Sequence, residues 1–150
     1  MEELIDAMKR YFATHFQYYT KAHGFHINVV GPDFTEFHML FGEVYEDAQD
    51  AIDDIGEHIR AIEGLAPMSL KRIQQLGKIN DAPESPDAMK MTEDLLADTQ
   101  IVVDHLEECH DIAVENKKYG LINFLEGRMD IHARPRAKMR DFENRNANVR

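Results

Sequence analysis

Apolar residues recur at three- and four-residue steps along nearly the whole of this chain, and that spacing restricts the fold more than any other feature. In residues 34–62, Phe34, Phe37, Phe41, Val44, Tyr45, Ala48, Ile52, Ile55, Ile59 and Ile62 keep to one face of a helix. An earlier run, from Glu2 to about Asn28, places Leu4, Ile5, Met8, Tyr11, Phe12, His15, Tyr19 and Ala22 on one face in the same way. A third seam runs Leu95, Thr99, Val102, Leu106, Cys109 and Ala113, and a fourth helical stretch extends from Leu121 to about Phe142. The fold class is therefore all-α.

Helix-breaking and capping residues divide these runs. Gly31 marks a turn, and Pro32 is expected to open the second helix, where its missing N–H costs nothing. Glu63-Gly64 closes that helix. Residues 65–86 carry Pro67, Pro83 and Pro86 around an amphipathic piece from Ser69 to Gly77, which predicts a short helix inside a long connection. Asp87 is placed to cap the third long helix, and Lys117-Lys118-Tyr119-Gly120 to end it. Pro135 predicts a kink or an early end in the fourth. Four long helices joined by a short turn, a long crossover and a short turn match a ferritin-like four-helix bundle, in which one domain spans residues 1–150.

Charge is uneven. The chain carries a net charge of −11, yet residues 134–150 hold six basic and two acidic side chains, leaving −15 on residues 1–133. An acidic body attracts cations and repels nucleic acid, so any DNA contact falls to the basic C-terminal tail at about 143–150 and the arginines just before it. Neither a transmembrane run nor a signal-peptide core is present, so a cytoplasmic protein without membrane association is expected. A single cysteine, Cys109, leaves metal chemistry to histidine and carboxylate.

Two groups fit that chemistry. His26 and His38 flank the Gly31-Pro32 turn, which can bring two neutral imidazoles together as ligands for iron, zinc or copper. Asp53 and Glu57, four residues apart, project from one face of the second helix. Mixed imidazole and carboxylate ligation with open positions suits iron that must meet an oxidant. Asp53 nevertheless lies fifteen residues beyond His38, roughly 22 Å along a helix. One subunit cannot close such a site, so a second must supply half of it. The plainer readings are a packed histidine pair and a solvated acidic face. A competing unit, Glu107-x-x-His110, needs a second copy that the other helices lack.

The string His26-Ile-Asn-Val-Val-Gly31-Pro-Asp-Phe34-Thr-Glu-Phe-His38, with Tyr45, Asp53-x-x-x-Glu57 and Ile59-Arg-Ala-Ile-Glu-Gly64, resembles the Dps family of miniferritins, the DNA-binding proteins from starved cells. The resemblance is strongest over residues 15–66. It implies ferroxidase centres shared between two-fold-related subunits of a hollow dodecamer, with His26 and His38 from one subunit and Asp53 and Glu57 from its mate. The iron would be a di-iron or mono-iron centre, with zinc as a substitute. It also implies an acidic ligand four residues after the second histidine, where this chain has Gly42; Glu46, one turn on, and Glu43 are the candidates to replace it. The family's aromatic after the first histidine is Ile27 here, and the chain has no tryptophan. Asp130 and His132 echo a family pair in the fourth helix.

The function expected from these residues is Fe(II) oxidation by hydrogen peroxide or O₂, with ferric iron stored inside the cage as protection against oxidative damage. The alternative is a DNA-compacting protein whose ferroxidase activity is weakened by Gly42. DNA binding is expected to be weak or absent, because Asp141 and Glu143 dilute the basic tail.

Overall fold

The computed structural model describes residues 1–82 and 84–149; Pro83 and Arg150, both part of the sequence reading, lie outside them. Five helices follow one another: α1 (Glu2–Asn28), α2 (Phe34–Ala61), α3 (Leu70–Leu76), α4 (Ala88–Glu115) and α5 (Tyr119–Val149). α1 packs along α2 and α4, α4 along α5, and α3 sits on α1. This is the ferritin-like four-helix bundle, with α3 in the long crossover. No helix among the described residues is long and apolar enough to cross a membrane.

The apolar stripes face inward as their spacing requires. Leu4, Met8 and Tyr11 of α1, Phe41, Ile55 and Ile59 of α2, and the whole seam from Leu95 to Ala113 of α4 are buried. Two placements differ from the sequence reading. Phe34 is exposed rather than core, and Tyr18, not Tyr19, is the fully buried tyrosine at that turn of α1.

Helix ends show why the boundaries fall where they do. Pro32 does not open α2. It occupies the second position of a turn closed by Phe34 N–H to Gly31 C=O at 3.2 Å, a place that its fixed φ also suits, and Asp33 becomes the N-cap. α2 ends in a Schellman arrangement: Glu63 N–H donates to Arg60 C=O and Gly64 N–H to Ile59 C=O. Glu63, with φ of 69°, takes the left-handed position. The glycine is needed one residue later, where a Cβ would come within 2.8 Å of Ile5. α4 ends the same way at Lys117, and its start is capped as expected, the Asp87 carboxylate accepting from Lys90 N–H at 2.9 Å.

Pro135 does not end α5, which continues to Val149 instead of stopping near Phe142. The turns beyond it are held from outside the helix. Met139 is fully buried, Phe142 packs on Phe37 with ring centroids 5.0 Å apart, and Lys138 pairs with Glu43 of α2 at 2.8 Å. Tertiary packing thus outweighs the lost backbone bond.

The crossover is fastened to α1 by three side chains. Thr14 Oγ1 accepts from Lys78 N–H, Gln17 Oε1 accepts from Ile79 N–H, and Lys21 Nζ donates to Asn80 C=O. Fastened in this way, the crossover leaves Leu65, Met68 and Leu70 exposed.

Candidate metal centre at the first helical turn

The turn at Gly31 folds the end of α1 back onto the start of α2, and His26 and His38 meet across it. Each ring is held by the other residue's backbone: His26 Nδ1–H donates to His38 C=O at 2.7 Å, and His38 Nδ1–H donates to His26 C=O at 2.8 Å. The rings stack with centroids 3.8 Å apart. A carbonyl oxygen can only accept, so each Nδ1 carries a proton, which in the neutral ring leaves the lone pair on Nε2. Neither Nε2 has a partner among the described residues. Metal-binding histidines are commonly fixed through the other ring nitrogen in this manner. Both side chains are half-buried, so they are oriented by the protein and still open to a ligand.

The other expected ligands lie apart from this pair. Asp53 and Glu57 are exposed on α2 with no ion pair among the described residues, and Glu46 is likewise exposed and unpaired. Glu43 pairs with Lys138 at 2.8 Å, with both side chains exposed. No group of three or more potential ligands forms a metal-sized cluster among the described residues. His26 and His38 are therefore brought together, and Asp53, Glu57 and Glu46 are not brought to them within one chain.

Further rings extend from the pair. Phe34 stacks on His38 at 5.0 Å, and Tyr45 packs on His26 at 4.9 Å and on His23 at 4.2 Å. Exposed Ile27, Val30 and Met39 lie on both sides of the turn, so this end of the bundle presents apolar side chains to solvent.

The middle of the bundle holds a different polar group, which the sequence spacing did not reveal. Arg128 of α5 makes two hydrogen bonds to Asp47 of α2, at 3.0 and 2.8 Å. His15 Nε2–H donates to Ala48 C=O, and His132 Nε2 lies 3.4 Å from Arg128. Desolvation raises the Asp47 carboxyl, but the hydrogen bonds and charge of Arg128 outweigh it and hold the group below its ordinary value. Burial, reinforced by the Arg128 charge, lowers His15 to about 4 and His132 to about 3, so both rings are neutral. The Arg128 guanidinium, held by Asp47, is the cation of this group. The Glu107-x-x-His110 unit does not enter this centre: Glu107 is exposed, and His110 pairs with Glu126 at 2.9 Å.

Comparison with known proteins agrees with this architecture. A family model described as the ferritin-like domain matches residues 5–145. "DNA protection during starvation protein 2" of Bacillus anthracis is 30% identical over 112 residues, covering 75% of this chain and 77% of the relative. This chain belongs to the Dps family. Solved Dps structures superpose closely. That of the Dps protein from Bacillus brevis is 25% identical, with a TM-score of 0.88 and 93% of each chain covered. The Dps protein from Vibrio cholerae O1, described as a member of a broad superfamily of ferritin-like diiron-carboxylate proteins, is 20% identical, with a TM-score of 0.89 over 94% of this chain and 89% of that one.

Proposed function

We propose that this Dps-family chain is a miniferritin subunit that binds Fe(II) between two copies of itself and oxidises it with hydrogen peroxide or O₂, storing the ferric product in a hollow dodecamer. His26 and His38 of one subunit supply neutral nitrogen ligands, and Asp53 and Glu57 of the other supply the compensating charge, with Glu46 as a further ligand. The reciprocal Nδ1–H to carbonyl bonds carry this reading, because they fix two stacked imidazoles through Nδ1 and, in the neutral rings, leave both Nε2 lone pairs for a metal. The unpaired carboxylates on α2 and the exposed apolar side chains around the turn support a site completed by a second subunit. Iron is the substrate: it enters as Fe(II), loses an electron to the oxidant and leaves as ferric mineral.

Replacing either His38 or Glu57 by Ala is expected to abolish fast Fe(II) oxidation, followed by absorbance, while light scattering still finds the assembled oligomer. Unchanged oxidation in both variants would reject the assignment.

A further inference from the structure

Phe34 breaks the apolar pattern of α2. The helical period assigns it to the buried face, yet it is the first residue of the helix and 43% exposed. What it covers is an imidazole. Phe34 and His38 are four positions apart, and side chains on a helix lean toward its amino terminus, so the His38 ring reaches back over Phe34. The two rings stack with centroids 5.0 Å apart and planes within 22°.

His26 lies against the same imidazole, with centroids 3.8 Å apart and planes within 19°. Two rings nearly parallel to a third at these distances cannot share one of its faces, so Phe34 and His26 cover opposite sides. His38 therefore stands in a slot one ring thick. His26 is enclosed less closely, because Tyr45 meets it at 44° rather than flat.

The slot stops the His38 ring from tipping out of its plane and so keeps Nδ1–H aimed at the His26 carbonyl, 2.8 Å away. That hydrogen bond decides which nitrogen carries the proton. Imidazole free in water favours the other tautomer, with the proton on Nε2, and His38 is half-buried, so water competes for the bond. Once it is lost, the Nε2 lone pair is lost with it.

We propose that Phe34 is a positioning residue of the metal centre: its ring closes the open face of His38 and holds that imidazole as the Nδ1–H tautomer, with Nε2 free for the metal. This role rests on the iron reading above. Phe34 touches neither iron nor oxidant. It acts through His38, whose ring would otherwise have to be turned and its proton moved each time Fe(II) binds.

Nitrogen-15 spectra of the metal-free, full-length oligomer, labelled at histidine and recorded as a sedimented solid, read the tautomer, and His38→Gln identifies the His38 signals. Zn²⁺ calorimetry and light scattering on the same samples read affinity and assembly. The wild type is expected to carry the His38 proton on Nδ1. Phe34→Ala should move His38 to a mixture containing the Nε2–H form and weaken Zn²⁺ binding about tenfold, the scale of loss when a ligand's support is removed. Phe34→Leu, which keeps apolar bulk without a flat ring, should behave like Phe34→Ala, and Phe34→Tyr should restore the wild-type tautomer and affinity. A wild-type proton on Nε2, or an unchanged tautomer or affinity in Phe34→Ala, would overturn the role. An unchanged tautomer together with a lost oligomer would overturn it too, since Phe34 would then serve only as a contact between copies. Failure confined to the Phe34 variants leaves the iron reading standing, whereas a wild type that binds no Zn²⁺ at the pair would overturn both.

Discussion

Gly42 lies directly against the His26 imidazole, and a Cβ at this position would stand 3.0 Å from Nδ1 and 3.1 Å from Cε1. A side chain fits only if the ring yields by a few tenths of an ångström, on a helix where replacing glycine otherwise gains up to about 1 kcal/mol. Gly42→Asp is therefore expected to change thermal stability little and to add an anionic ligand. Calorimetric titration with Zn²⁺ should show more metal bound per site.

Because each histidine fixes the other, their replacements should not add. Either His26→Ala or His38→Ala removes one ligand and frees the partner's ring to rotate or change tautomer. Each lost hydrogen bond is worth about 1 kcal/mol of stability. The double variant should bind metal no worse than either single one. Strictly additive losses in a double-mutant cycle would show that the two rings act independently.

The bundle centre predicts acid sensitivity. His15 and His132 are held near 4 and 3 in the folded chain, by burial first and then by Arg128, against an ordinary value of 6.5. In the unfolded chain they take up protons below about 6.5, while the folded chain refuses them. Their contribution is fully present above that pH and is lost as pH falls toward 4, at up to about 1.4 kcal/mol per pH unit for each ring. The groups facing them are Asp47 from α2, Arg128 from α5, and Tyr11 and Tyr18 from α1. Urea midpoints measured from pH 7 to 4 should fall steeply in the wild type and less in His132→Leu. Arg128→Met should cost about 2–4 kcal/mol at pH 7, discounted for the partial exposure of Asp47, which it leaves unpaired.

DNA compaction is the function that the basic C-terminal segment would have to carry. Lys138 is paired with Glu43, Arg136 donates to Gln100, and Arg140 lies 3.9 Å from Asp141, so much of the charge is spent within the subunit. The side chain of Arg145, and Arg150 as a whole, lie outside the described residues. Gel shifts at about 150 mM salt should show no complex, and binding should emerge only as salt is lowered. A tight complex at the higher salt that disappears when residues 143–150 are removed would restore the DNA-compacting alternative.

Much of the fold is legible in the sequence because long amphipathic helices announce themselves residue by residue. The bounds of α1, the Asp87 cap and the buried seam of α4 follow from spacing and capping chemistry alone. The extent of α5 beyond Phe142 is not legible, because the turns after Pro135 are held by Met139 and Phe142 through contacts distant in sequence. Pro32 misleads because one fixed φ serves both a turn and a first helical position. The histidine pair is legible from its twelve-residue spacing across a turn. Its hydrogen bonds are not, since they depend on how the two backbones cross. Asp47 and Arg128 are invisible in the same way, being eighty-one positions apart and joined only by packing.

The shared site can be tested by subunit mixing. His38→Ala and Glu57→Ala are each expected to be inactive alone, because each removes one half of every site. Co-assembled in equal amounts, the two kinds of subunit should regain oxidation at about a quarter of the sites, wherever an intact histidine pair meets an intact carboxylate pair across a two-fold interface. Fe(II) oxidation rates measured on mixed cages, against cages of each variant alone, give the answer. Recovery to about a quarter of the wild-type rate is the expected result, and mixed cages as inactive as their parents would contradict a centre built from two subunits.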